Sequence, residues 1–159
     1  MATIRKFRES DREALKEITA ECFENVSIDA NIERALGKIR GRDWRWRKKR
    51  HIDADIAANA GGIFVAEDAG RPIGYITTVL DPEAGIGRIP NLAVLPEYRG
   101  QGLGRRLIET ALDYLREQGM EIAKIETLAQ NEIGSRFYPK MGFQEVARQI
   151  HYVMRLNRE

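Results

Sequence analysis

Between Arg99 and Arg106 the chain reads Arg-Gly-Gln-Gly-Leu-Gly-Arg-Arg, three alternating glycines bracketed by arginines. Immediately downstream, Leu103, Leu107, Ile108, Ala111, Leu112 and Leu115 recur at helical spacing, so the glycines fall where a helix begins. The first turn of a helix has N–H groups without intrahelical partners, and its dipole favours negative charge there. Glycine lets the backbone close on an anion, and Arg99, Arg105 and Arg106 add positive charge. The chemistry this predicts is binding of a pyrophosphate. Two familiar phosphate loops do not fit. Counted from Gly100, a dinucleotide fingerprint needs its third glycine where Arg105 stands, and a Walker loop needs Gly-Lys-Ser/Thr where the chain has Gly-Arg-Arg. The plainer alternative is a glycine-rich turn before an exposed basic helix.

The elements that must position this loop follow from periodicity and turn chemistry. A first strand is predicted over residues 3–7, and Ser10, Asp11 and Glu13 open a helix carrying Leu15, Ile18, Cys22 and Phe23. Asp29 opens a second helical region that continues through Trp44 to Ala58, with Gly37 and Gly41 as break points. Strands over 63–66 and 73–80 flank the turn Asp68-Ala69-Gly70-Arg71-Pro72. A strand over 87–95 leads to the glycine loop and its helix, which ends near Gly119. A strand over 122–128 and a short helix over 132–141 follow, then two closing strands over 143–148 and 150–156. This order implies one domain over 1–159, an α/β (α+β) fold. Its mixed, mainly antiparallel sheet of six to seven strands has a parallel pair near its middle and about four helices.

Two blocks together resemble a known family. The run Leu92-Ala93-Val94-Leu95-Pro96-Glu97-Tyr98-Arg99-Gly100-Gln101-Gly102-Leu103-Gly104 is similar to the central cofactor motif of the GCN5-related N-acetyltransferases (GNAT), a strand Leu-x-Val-x-Pro followed by Arg/Gln-x-x-Gly-x-Gly/Ala. Downstream, Asn131 followed by Phe137-Tyr138-Pro139-Lys140-Met141-Gly142-Phe143 resembles the family's Asn…(Leu/Phe)-Tyr-x-Lys-x-Gly-Phe. The resemblance covers residues 61–156. Over 1–60 it is topological only, and residues 20–60 are the family's variable, acceptor-side region. Gly134 departs from the family's usual alanine, and Pro139 directly follows Tyr138.

The resemblance implies an acetyl-CoA-dependent N-acetyltransferase that moves an acetyl group onto a primary amine. It places the pyrophosphate on the amides of Gln101, Gly102, Leu103, Gly104 and Arg105, beside Arg99 and Gly100. The pantetheine arm then pairs with the backbone of Leu92, Ala93 and Val94, as an added strand would. The strands over 87–95 and 122–128 splay to leave this slot. Asn131 matches the position that contacts the pantetheine or its bound water, while its residue type alone suits a helix N-cap. Tyr138 matches the general acid that protonates the leaving sulfur. An aromatic packed beside Phe137 and Phe143 is the plain alternative. Glu126 matches the glutamate base of some N-terminal acetyltransferases, against a merely solvated strand residue. His51 is a remoter candidate base, and many members have no dedicated side-chain base.

Composition bounds the rest. Of 159 residues, 43% are hydrophobic, enough for a core. No apolar run reaches the ~20 residues of a membrane span, and the N-terminus lacks the features of a secretory signal. Cys22 is the only cysteine, so no internal disulfide or cysteine metal cluster can form, and a cytoplasmic location and no metal are expected. The net charge of +2 says nothing of partners, but residues 38–51 carry eight basic residues against Asp43 alone. That stretch could attract an acidic acceptor, or be a solvated helix face. A non-catalytic acyl-CoA sensor and a basic nucleic-acid-binding module are the rival readings, the second lacking any groove-reading motif. A homodimer stays open.

Overall fold

The computed structural model describes residues 2–157. Its elements run β1 (Thr3–Lys6), α1 (Arg12–Cys22), α2 (Ile28–Leu36), α3 (Trp44–Asn59), β2 (Phe64–Asp68), β3 (Arg71–Ile76), β4 (Val79–Asp81), β5 (Ile86–Ile89), β6 (Leu92–Val94), α4 (Leu103–Glu117), β7 (Ile122–Ile125) and α5 (Glu132–Lys140). Local chemistry sets the helix ends. Ser27 and Asp43 accept hydrogen bonds from the amides of Ala30 and Trp46, capping α2 and α3. Gly37, at φ 80°, takes the chain out of α2 and separates it from α3.

One sheet has the order β1-β2-β3-β6, all antiparallel; the other has the order β4-β5-β7. The two meet where the predicted strands 73–80 and 87–95 each break, into β3 and β4 and into β5 and β6. The seam is held by the Thr77 amide, which donates to the Asn91 carbonyl at 2.9 Å. β5 and β7 form the expected parallel pair, from Ile86 opposite Ile122 to Ile89 opposite Ile125. Beyond Ile89 the two part. β6 continues on β3 and, among the described residues, has no strand on its other side.

The core lies between the sheet and the helices. Leu103, Leu107, Ile108, Ala111 and Leu115 of α4 form one buried stripe on the sheet face that carries Phe64 and Ile76, where the Phe64 ring meets that of Tyr114 at 5.6 Å. Leu15, Ile18 and Ile52 belong to the same core from α1 and α3. α3 is unusual. Its buried stripe is Trp44, Lys48, Ile52 and Asp55, two of them ionisable.

Two expectations are corrected. The closing strands over 143–148 and 150–156 are absent: Phe143 packs on Tyr138 at 6.1 Å between ring centroids, and residues 144–156 are exposed and unpaired. Their alternation suits a strand, but no edge of this chain receives them, and a strand without a partner leaves its backbone groups unbonded. The strand predicted over 122–128 stops at Ile125, leaving Glu126 in the connection to α5.

Candidate active site

The glycine loop forms a cradle of free donors. Gly100 and Gly102 take φ of 80° and 79°, left-handed conformations that a side chain would strain. Gly102 is the N-cap of α4, and the first bond closing on it is from Arg106 N to its carbonyl at 3.1 Å. The five preceding amides, Gln101 to Arg105, donate to no group among the described residues. Five consecutive N–H groups at the positive end of a 15-residue helix make an anion site. The arginines are partly committed elsewhere. Arg106 donates to the Ala2 carbonyl at 3.1 Å, Arg105 lies 3.6 Å from Glu109, and Arg99 donates through Nε to the Val94 carbonyl at 3.0 Å.

β6 presents the second half of the site. The Asn91 carbonyl accepts from the Thr77 amide, just past β3, and the Leu95 amide donates to the Ile73 carbonyl of β3, so the intervening Ala93 also faces β3. Leu92 and Val94 therefore turn their N–H and C=O groups to the open side. The Val94 carbonyl accepts from Arg99 and, at 3.4 Å, from the Cys22 thiol, whose pKa burial raises. The Leu92 groups and the Val94 amide stay open for an extended amide-bearing ligand.

α5 carries the proton-donating candidate. Its start is fixed by Asn131, whose Oδ1 accepts from the Gly134 amide at 3.1 Å while its Nδ2 donates to Thr127 at 2.8 Å. A Cβ on Gly134 would stand 2.6 Å from that Nδ2, which accounts for glycine here. Pro139 lies inside α5, one residue after Tyr138. Phe137 abuts the loop: a Cβ on Gly104 would meet its ring at 3.6 Å. Tyr138 packs against Phe137 and Phe143, and its hydroxyl has no hydrogen-bond partner among the described residues. Burial pushes its pKa up to about 12. Glu126 points to solvent, 3.3 Å from Lys124.

Sequence reasoning missed a buried polar network at the seam. Lys48 Nζ donates to Asn91 Oδ1 at 2.8 Å and lies 3.2 Å from His51 Nδ1. Asn91 Nδ2 and the Thr77 hydroxyl both donate to Asp55 Oδ2, at 2.6 and 2.9 Å. The Thr77 hydroxyl in turn accepts from the Asn91 amide at 3.1 Å. Burial lowers the pKa of Lys48. It also lowers that of His51, helped by the charge of Lys48. The network holds the fork one residue before Leu92. The rest of the basic stretch is largely paired: Arg47 with Asp29, Lys49 with Glu17, and Arg42 and Arg50 over the Trp46 ring. A cleft beside α3 is lined by Asp29, Arg47, Arg50, His51, Asp53 and Ala54. Trp44 is buried and Trp46 is 40% exposed, since two residues apart on one helix they lie on different faces. Among the described residues no helix is long and apolar enough to cross a membrane, and no group of three His, Cys, Asp or Glu could hold a metal.

A helix N-terminus of free amides thus lies beside an open strand edge, next to a diverging parallel pair. The family profile of the acetyltransferase (GNAT) family matches residues 12–143, and the chain belongs to that family. It is 35% identical over 94 residues to N-alpha-acetyltransferase 30 of Schizosaccharomyces pombe, covering 57% of this chain and 63% of that protein. It is 36% identical over 87 residues to mycothiol acetyltransferase of Tsukamurella paurometabola, covering 54% of this chain and 30% of that one. The chain thus spans less than two thirds of the length of these curated relatives. In fold it is similar to the PaiA N-acetyltransferase of Thermoplasma acidophilum solved with coenzyme A, at TM-score 0.71, 21% identity and coverage of 91% and 90%.

Proposed function

We propose that this chain is an N-acetyltransferase that takes an acetyl group from acetyl-CoA and passes it to a primary amine by direct attack on the thioester. The observation that carries this is the run of five free amides from Gln101 to Arg105 beside the open edge of β6. Those amides suit the pyrophosphate, and Leu92 and Val94 suit the pantetheine amides. Acetyl-CoA supplies the activated acyl group.

The chain's residues position the partners and move protons. The amine attacks as the neutral base, forming the N–C bond as the C–S bond breaks. Tyr138 donates its phenolic proton to the leaving sulfur; with a pKa near 12 it holds that proton throughout the neutral range. The amine's surplus proton goes to solvent, with exposed Glu126 as the candidate acceptor through water, and solvent returns a proton to the Tyr138 phenolate. One relative is named an N-alpha-acetyltransferase and another a mycothiol acetyltransferase, so the acceptor is proposed only as a primary amine.

The test is calorimetric titration with coenzyme A, followed by thiol release from acetyl-CoA across peptides, polyamines, amino acids and aminoglycosides. Binding that Gly102→Val abolishes, with turnover on at least one amine, supports the reading. Binding without turnover on any amine would make the chain an acyl-CoA sensor. Unchanged affinity in Gly102→Val would sink the loop assignment.

A further inference from the structure

α3 carries two stripes of charged side chains. Lys48 and Asp55 lie in the buried one with Trp44 and Ile52, where Asn91 and Thr77 supply their partners. Arg47, Arg50, His51 and Ala54, spaced three and four apart, form a second stripe outside the core. With Asp29 of α2 and Asp53, this second stripe lines a cleft of about 670 Å³, a size that suits a small molecule.

Most charges around the cleft are matched in pairs. Asp29 accepts from Arg47 Nε at 3.2 Å and lies 3.5 Å from His51 Nε2. Asp53 holds Arg12 and Lys16 of α1 at 2.6 and 2.9 Å, and Arg12 also pairs with Glu9. Two donors are left over. Arg47 Nη1 is shut off from water, and it is the one buried side-chain nitrogen or oxygen without a hydrogen-bond partner among the described residues. Arg50 lies 4.8 Å over the Trp46 ring and has no carboxylate within ion-pair distance among the described residues. Four cations thus face three carboxylates, leaving one positive charge unmatched. An orphaned guanidinium donor beside a second, unmatched guanidinium calls for an anion from outside the chain.

The cleft also connects with the fork of the sheet. His51 Nδ1 lies 3.2 Å from Lys48 Nζ, which donates to Asn91 Oδ1 at 2.8 Å, one residue before Leu92. Only those two contacts separate the cleft from the strand edge that faces the thioester arm. A single unmatched charge suits a carboxylate, and Asp29 and Asp53 on the same walls disfavour a doubly charged phosphate. The intervening Lys48–His51 pair keeps the anion and the reacting amine several bonds apart.

We propose that the cleft takes the carboxylate of the acceptor on Arg47 and Arg50, so that the amines acetylated are ω-amino acids, with the carboxylate several bonds from the nitrogen. Which end reacts rests on the acetyltransferase reading; the carboxylate site does not.

The probes are ε-aminocaproate and its uncharged amide, ε-aminocaproamide. Each is titrated into the full chain, with and without coenzyme A, while NMR follows the imidazole signals of His51, one of two histidines. The acid is expected to shift them saturably, with the amide binding at least about tenfold more weakly and Arg50→Gln costing the acid a similar factor. Arg47→Lys keeps a charge beside Asp29 but removes the orphaned nitrogen, and it should weaken the acid as well. Arg50 is exposed, and a melting curve shows that Arg50→Gln keeps the fold. Thiol release from acetyl-CoA should favour the acid over the amide by the same margin in kcat/KM. No saturable shift with the acid, equal affinity for acid and amide, or an acid affinity unmoved by Arg50→Gln overturns the carboxylate site, even where acetyl transfer is seen. Selective binding of the acid without thiol release supports the site and counts against the acetyltransferase reading instead.

Discussion

The Arg99 guanidinium donates through Nε to the Val94 carbonyl at 3.0 Å, tying the entrance of the glycine loop to the last residue of β6. The bond fixes the distance between the free amides of α4 and the open groups of Leu92, the two surfaces one ligand must bridge. Arg99→Leu should weaken coenzyme A affinity about three- to tenfold, the loss of one charge-assisted bond. Thermal stability should hardly move, because the bond is at the surface. Calorimetry and a melting curve on the same variant check both.

Tyr138→Phe removes one oxygen that has no hydrogen-bond partner among the described residues, so folding should be unaffected. Turnover should fall about 10²-fold, as for loss of a positioned acid, with little change in coenzyme A affinity. Because burial holds the native phenol near 12, activity should show no alkaline loss from this group below about pH 11. A limb near pH 9–10 that vanishes in the variant would contradict the environment described.

Much of this was legible in the residues because local chemistry set it. The amphipathic stripe of α4, the Asp68–Pro72 turn and the glycines before Leu103 each declare their conformation without tertiary help. The parallel pairing of β5 and β7 followed from connectivity. What the sequence hid depends on who the neighbour is. Lys48 sits in a basic run and reads as solvated, yet it is 8% exposed because Asn91, 43 residues on, supplies its partner. Asp55 and Thr77 were silent for the same reason. The alternation at Ile150, Tyr152, Met154 and Leu156 predicts a strand, but periodicity states a conformation and not whether a sheet edge receives it.

Gly134 should resist replacement by alanine although alanine is the better helix former by about 1 kcal/mol. The added methyl would displace Asn131 Nδ2 from Thr127 and disturb the cap of α5. Gly134→Ala is therefore expected to lower stability by about 1 kcal/mol, the usual worth of an N-cap, rather than raise it. Urea denaturation gives the sign directly.

His51 should report on Lys48. Burial first, then the neighbouring ammonium, depress the imidazole pKa below 6.5 in the folded chain. As pH falls through 6.5 the unfolded chain takes up this proton before the folded one does, so His51 makes folding less favourable from there down to its folded pKa. Lys48→Met removes the charge and leaves the burial. The His51 midpoint, followed by NMR, should then rise, and the acid loss of stability over that window should shrink. The same variant leaves Asn91 Oδ1 without its donor at the fork, so its stability at neutral pH should drop by about 1–3 kcal/mol. A midpoint unmoved by the substitution would mean that the ammonium and the imidazole do not share the contact at 3.2 Å.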